Sequence, residues 1–211
     1  ELKKQRRQVF RRKILFSLLV FLAVFIFLAY IFRVPALNIS SVEITGNKIV
    51  DAEASKKIVE GELAGKYFWL FPKTNILYYP QNAIKSELLQ KFKRLKEVNL
   101  SIKDNDKKIL VASLTERTAS YTWCGNSLPA TDSSDQKCYF IDKDGYIFDE
   151  APYFSGAVYF RFYGPAGNLP AGETGTALGS YLSKDNFQKL ILFKETLEAM
   201  NLKPAALYIT G

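Results

Sequence analysis

Histidine is missing from all 211 residues; cysteine occurs twice and methionine once. Without histidine, Ser-His-Asp and Cys-His catalytic machinery and histidine-ligated metal sites are excluded. Two cysteines are too few for a four-cysteine zinc site. Charge is also absent from one long stretch, from Ile14 to Phe32. The rest is ordinary for a folded chain: 48% apolar and 24% charged, which excludes wholesale disorder.

The formal charge of +8 is unevenly spread. Residues 1–13 carry seven Lys and Arg against Glu1, and the chain after the apolar stretch is nearly balanced. The high isoelectric point therefore belongs to a short tail. A nucleic-acid surface needs basic residues clustered on the folded part.

Residues 14–32 are interrupted only by Ser17. Nineteen residues at ~1.5 Å rise make a helix of about 28 Å, close to the ~30 Å hydrocarbon core of a bilayer. Tyr30 stands where an interfacial aromatic belongs, and the basic flank predicts a cytoplasmic amino end, with 33–211 outside. A cleaved secretory signal is the competing reading. Its apolar region is shorter, about 7–15 residues, and ends in small residues, whereas this run ends Ala29-Tyr30-Ile31-Phe32. The expected segments are a basic tail over 1–13 and an uncleaved single-pass anchor over 14–32. Glu1 and Gly211 read as cut points, with more chain expected after Gly211.

Beyond Pro35 the elements alternate. Residues 40–45 predict a strand with Val42 and Ile44 on one face, and Gly46-Asn47 predict a turn. Asp51 is a good N-cap for a helix over about 52–63 that turns Ala54, Ile58 and Leu63 to the core, with Gly65 closing it. An aromatic loop follows, with Tyr67, Phe68, Trp69 and Phe71. Pro80 then starts a helix with Ile84, Leu88 and Phe92 on its apolar face. Val98, Leu100 and Ile102 alternate as a half-buried strand. Asp104-Asn105-Asp106 turns the chain into a strand over 109–115. The expected fold is α+β: β-α-α-β-β, a three-stranded sheet with two helices on one face.

The second half predicts strands over 118–123, 138–142, 146–148 and 157–163. A loop over 164–179, a helix over 186–200 and the start of a strand at 205–210 follow. The helix places Phe187, Leu190, Ile191, Leu197 and Met200 on one face. Asp142-Lys143-Asp144-Gly145 is a hairpin turn, because glycine accepts positive φ cheaply. It is not an EF-hand loop, which has glycine at position six. Cys124 and Cys138 flank the polar stretch 125–137. If Trp123 and Tyr139 face each other across a hairpin, the cysteines are close enough to bond, and an exterior location lets the bond persist. Two free buried thiols are the alternative. The spacing is not the C-x-x-C of a redox catalyst. The glycines at 164, 167, 172, 175 and 179 lack the lysine and strand-to-helix context of a phosphate loop, and Asp149-Glu150 read as a solvated turn. No catalytic constellation, metal site or cofactor is expected.

Three features together resemble a known family. The strand-Gly46-Asn47-helix-helix-hairpin order ending in Leu114-Thr115-Glu116-Arg117 looks like a POTRA domain, placed at 36–117. A basic tail, one membrane helix and one POTRA domain resemble the FtsQ/DivIB family of bacterial division proteins. The text around Asp142, Asp144 and Gly145 resembles the opening of that family's second, β domain, placed at 118–211 and incomplete. The proline of the family's E-R-x-P text is absent here. The resemblance covers residues 1 to about 155. It implies a bitopic, non-catalytic scaffold of the inner membrane and division septum. Its external domains would bind FtsB/FtsL-type coiled-coil partners by edge-strand pairing, through strands expected beyond Gly211. It implies no nucleic-acid partner and no small-molecule substrate. Phe68, Trp69 and Phe71 are candidate contacts with a partner or the membrane interface. The other readings are a POTRA protein of outer-membrane assembly or secretion, and an anchored envelope enzyme whose catalytic domain lies beyond Gly211.

Overall fold

The apolar stretch and the basic residues before it form one continuous helix, α1 (Leu2–Phe32). In this computed structural model the described residues are 2–128, 136–154, 156, 158–166 and 177–209. The chain is mixed α/β, with this one N-terminal apolar helix followed by sheets. Within α1, the 23-residue span Phe10–Phe32 is long and apolar enough to cross a membrane; its most apolar window has a mean hydropathy of 3.0, and none of that window is buried in the chain. The helix runs back through the basic tail because Lys, Arg and Gln are good helix formers and no breaker separates them from Ile14. It ends where Pro35 opens a short 3-10 turn. The last carbonyls are not left bare: Asn38 Nδ2 donates to Phe32 and Val34 at 3.2 and 2.7 Å, and Asn75 Nδ2 donates to Phe32 at 3.3 Å.

Two compact units follow from the chain's contacts: residues 1–88 with 98–114, and residues 89–97 with 115–211. The segment 89–97, which lies inside the interval 36–117 expected for the first domain, groups with the second unit.

The first unit holds β1 (Ser41–Thr45), α2 (Ala52–Leu63), β2 (Lys66–Tyr67), β3 (Phe71–Pro72), and most of α3 (Gln81–Lys91), β4 (Leu95–Lys103) and β5 (Asp106–Glu116). The sheet order is β1-β5-β4; β1 runs parallel to β5, with Val42 opposite Leu110 and Ile44 opposite Ala112. Asp51 caps α2, its Oδ1 accepting the Ala54 N–H at 2.6 Å. The buried face of α2 is Ser55, Val59 and Leu63, whereas Ala54 and Ile58 are only half-buried. Ser55 is tolerated inside because its hydroxyl donates to the Asp51 carbonyl at 2.8 Å. α3 buries Ile84 and Leu88 and stops at Lys91, one residue before Phe92. β4 begins at Leu95, earlier than its alternation from Val98 suggests, with Leu95 and Val98 both buried.

The second unit holds β6 (Tyr121–Trp123), β7 (Cys138–Ile141), β8 (Ile147–Ala151), β9 (Arg161–Tyr163), α4 (Phe187–Ala199) and β10 (Ala206–Tyr208). Its sheet order is β10-β9-β6-β7-β8. β6-β7 and β7-β8 are antiparallel; β6-β9 and β9-β10 are parallel. The core centres on Phe162 and Phe187, with ring centroids 5.5 Å apart, beside Ile141, Ile147 and Leu182. Trp123 packs on it and donates its indole N–H to the Gly164 carbonyl at 2.8 Å.

Several strands are shorter than their apolar runs. Residues 118–120 are not strand, and Tyr146 makes only an isolated bridge to Tyr181. α4 buries Phe187 and Ile191; Leu197 is half-buried, and Met200, just past the helix end, is 65% exposed, so it is not part of the apolar face. Of the segments read from sequence, Ala157, residues 129–135, residues 167–176 and Thr210 lie outside the described residues.

Candidate functional site

Four groups of residues were singled out by the sequence, and each has a definite place. The first is the turn Asp142-Lys143-Asp144-Gly145 with Glu116 and Arg117. Local chemistry makes the turn. Asp142 Oδ1 accepts the N–H groups of Asp144 and Tyr146 at 2.9 and 3.0 Å, and the Gly145 N–H closes onto the Asp142 carbonyl at 3.1 Å. Gly145 sits at φ +84, and an added Cβ would stand 2.7 Å from Cγ of the buried Phe187. Both backbone and packing therefore require glycine.

Arg117 closes over this turn. Its Nη1 donates to Asp142 Oδ2 at 2.5 Å, with side-chain exposures of 12% and 4%, and its guanidinium lies 3.8 Å from the centroid of the Tyr146 ring. Arg117 Nε is buried without a partner among the described residues, which offsets part of this gain. Burial holds the Tyr146 phenol above its ordinary pKa, against the pull of Arg117. Glu116 ends β5 immediately before it.

Two further basic residues bind the same region from the 89–97 segment. Arg94 donates through Nε and Nη2 to Asp149 Oδ2 at 2.9 and 2.5 Å and lies over the Phe148 ring. Lys96 donates to Asp144 Oδ2 at 2.7 Å. The hydrogen bond from Lys96 holds the Asp144 carboxyl below its ordinary pKa, and the Asp144 bond raises Lys96. The stabilisation from Asp144 is complete above the ordinary carboxylate range and fades as pH falls through the lowered value. That from Lys96 is complete below the ordinary lysine range and fades as pH rises through the raised value. Both side chains are over 40% exposed, so the pair contributes at most about 1 kcal/mol. Arg94 and Lys96 were not identified from the sequence: their partners lie some fifty residues away, and no local pattern links them.

The second group is Gly46-Asn47. Gly46 is at φ +78, with an added Cβ placed 2.4 Å from the Leu114 carbonyl oxygen, so β1 leaves the sheet where only glycine fits. Asn47 Nδ2 donates to the Val50 carbonyl at 3.2 Å, tightening the entry to α2.

The third is the aromatic loop, which contains a small hairpin, β2-β3, pairing Tyr67 with Phe71. Phe68 and Trp69 form its tip, 87% and 91% exposed, while the Phe71 ring packs on α1.

The fourth is the cysteine pair: Cys124 and Cys138 form a disulfide, with Cα atoms 4.1 Å apart. Trp123 and Tyr139 are direct cross-strand partners in β6-β7, which brings the cysteines together. Among the described residues no three His, Cys, Asp or Glu side chains cluster closely enough to hold a metal ion. No protein-family model matches the chain. No curated protein matches it either.

Proposed function

We propose that this chain is a bitopic scaffold of bacterial cell division, similar to the FtsQ/DivIB family. In this reading α1 is a permanent single-pass anchor of the inner membrane, its basic end in the cytoplasm. The two units stand outside as a POTRA domain and a β domain, and they hold partner proteins at the septum without catalysis.

The observation that carries the reading is α1 itself: nineteen uncharged residues over 14–32, none of whose most apolar window is buried in the chain. A soluble protein rarely leaves a surface of that size in water. The Cys124–Cys138 bond supports an exterior, oxidising location for the second unit. The order β1-α2-(β2-β3)-α3-β4-β5 supports the POTRA assignment, and the Arg117–Asp142 clasp joins the two motif texts on which the resemblance rests.

The second unit's sheet supports edge-strand pairing as the mode of binding. Among the described residues its outer strands are β8 and β10, and β10 is a short strand hydrogen-bonded to β9 with Ala206 and Tyr208 exposed. An edge of this kind accepts a further strand through backbone hydrogen bonds, and side-chain pockets then select the partner. Small coiled-coil partners of the FtsB/FtsL type, which the resemblance implies, would supply the added strand.

A fluorescent protein fused ahead of Glu1 is expected to form a ring at mid-cell in constricting cells. Uniform membrane fluorescence in dividing cells would contradict the division role.

A further inference from the structure

The β2-β3 hairpin sets two large aromatics in an unusual position. Phe68 and Trp69 both have positive φ, 47 and 67, which side-chain-bearing residues adopt rarely and at a cost. Neither ring packs on the chain, since both are nearly fully exposed. The two angles close the hairpin turn, where the Leu70 N–H donates to the Tyr67 carbonyl at 3.1 Å; Asn and Gly meet that requirement cheaply, whereas here it holds two large aromatics out in solvent.

The base of the hairpin shows where the tip lies. The Phe71 ring meets Phe32 at 5.2 Å and Phe25 at 5.9 Å between centroids, both edge-on. Phe25 is two helical turns before Phe32, about 10 Å along the axis. The hairpin therefore lies beside the last two turns of the apolar helix rather than above its end. Around it stand exposed Leu77 and Tyr78, with the Tyr78 ring 5.4 Å from that of Tyr67. Lys66, which begins β2, and Arg33, which follows Phe32, are exposed, and Lys73 lies over the Tyr67 ring. Tryptophan and tyrosine ringed by lysine and arginine, at the level where an apolar helix ends, are the side chains that a bilayer interface takes. The cations suit anionic headgroups.

We infer that the Phe68-Trp69 tip is a second membrane contact, inserting into the headgroup–acyl boundary of the leaflet where α1 emerges. It docks the first unit onto the lipid surface beside its own anchor. This inference rests on α1 spanning the membrane, and the test separates the two. The full chain is reconstituted into phosphatidylcholine–phosphatidylglycerol vesicles whose acyl chains are brominated close to the headgroup. Tryptophan emission is then compared with that of a Trp69→Phe variant, and retention after an alkaline carbonate wash is scored for both. Bromine should remove most of the Trp69 emission. The Trp69→Phe protein, left with the buried Trp123, should show no bromine-dependent loss, and both proteins should stay with the vesicles. Retained chain with unquenched Trp69, the result for a tip that docks on protein, overturns the inference and leaves the anchor standing. Equal quenching in Trp69→Phe also overturns it. Release by carbonate overturns both.

Discussion

Replacing Asp142 with alanine is expected to destabilise the second unit by about 3–5 kcal/mol, the range for breaking a buried ion pair from one side. The change strands three donors at once. The Arg117 guanidinium loses its counter-ion while staying largely buried against Tyr146. The N–H groups of Asp144 and Tyr146 lose the Oδ1 that closes the turn. Arg117→Ala should cost less, because Asp142 keeps its two backbone donors. Asp142→Asn should fall between the two, since its side-chain oxygen can still accept. Denaturant unfolding of the detergent-solubilised chain, followed by Trp123 emission in a Trp69→Phe background, measures the order. A loss under about 1 kcal/mol for Asp142→Ala, the size of a surface pair, would contradict the buried-clasp account.

The Cys124–Cys138 bond is the second large effect. It closes a loop of about 15 residues, and the chain-entropy model gives about 3 kcal/mol for that length. A Cys124→Ser/Cys138→Ser chain should unfold at correspondingly lower denaturant. Chain prepared without reductant should show no thiol that reacts with maleimide before reduction and two after it. Quantitative labelling of folded, unreduced protein would contradict the bond. An unchanged unfolding midpoint in the double variant would contradict its structural weight.

Features written in neighbouring residues were legible in the sequence. The Asp51 cap and the limits of α2 needed only one side chain and one turn of helix. The Asp142–Gly145 turn needed only glycine's access to positive φ. Two short apolar runs around a polar stretch made the disulfide legible on one condition, that Trp123 and Tyr139 face each other across a hairpin, and the β6-β7 pairing meets it.

What was not legible depends on distant chain. Ser55 reads as a surface residue until the Asp51 carbonyl satisfies its hydroxyl. β6, β9 and β10 pair in parallel, so the connections between them are long and leave no hairpin signal. β2 and β3 are two residues each, too short for any period to show. Met200 fits the apolar repeat of α4 but sits past the helix end, where it is 65% exposed. For the candidate site, the sequence marked Arg117 only as family text and Asp142, Asp144 and Gly145 as a turn. Their assembly into one clasp, with Arg94 and Lys96 beside it, required tertiary structure.

Protease accessibility in intact spheroplasts tests the anchored-scaffold account most directly. External protease should digest both folded units and leave a membrane-bound amino-terminal fragment containing α1, still detectable through a tag ahead of Glu1. A chain that resists until the cells are lysed, or a soluble product already lacking α1 before protease is added, would contradict it.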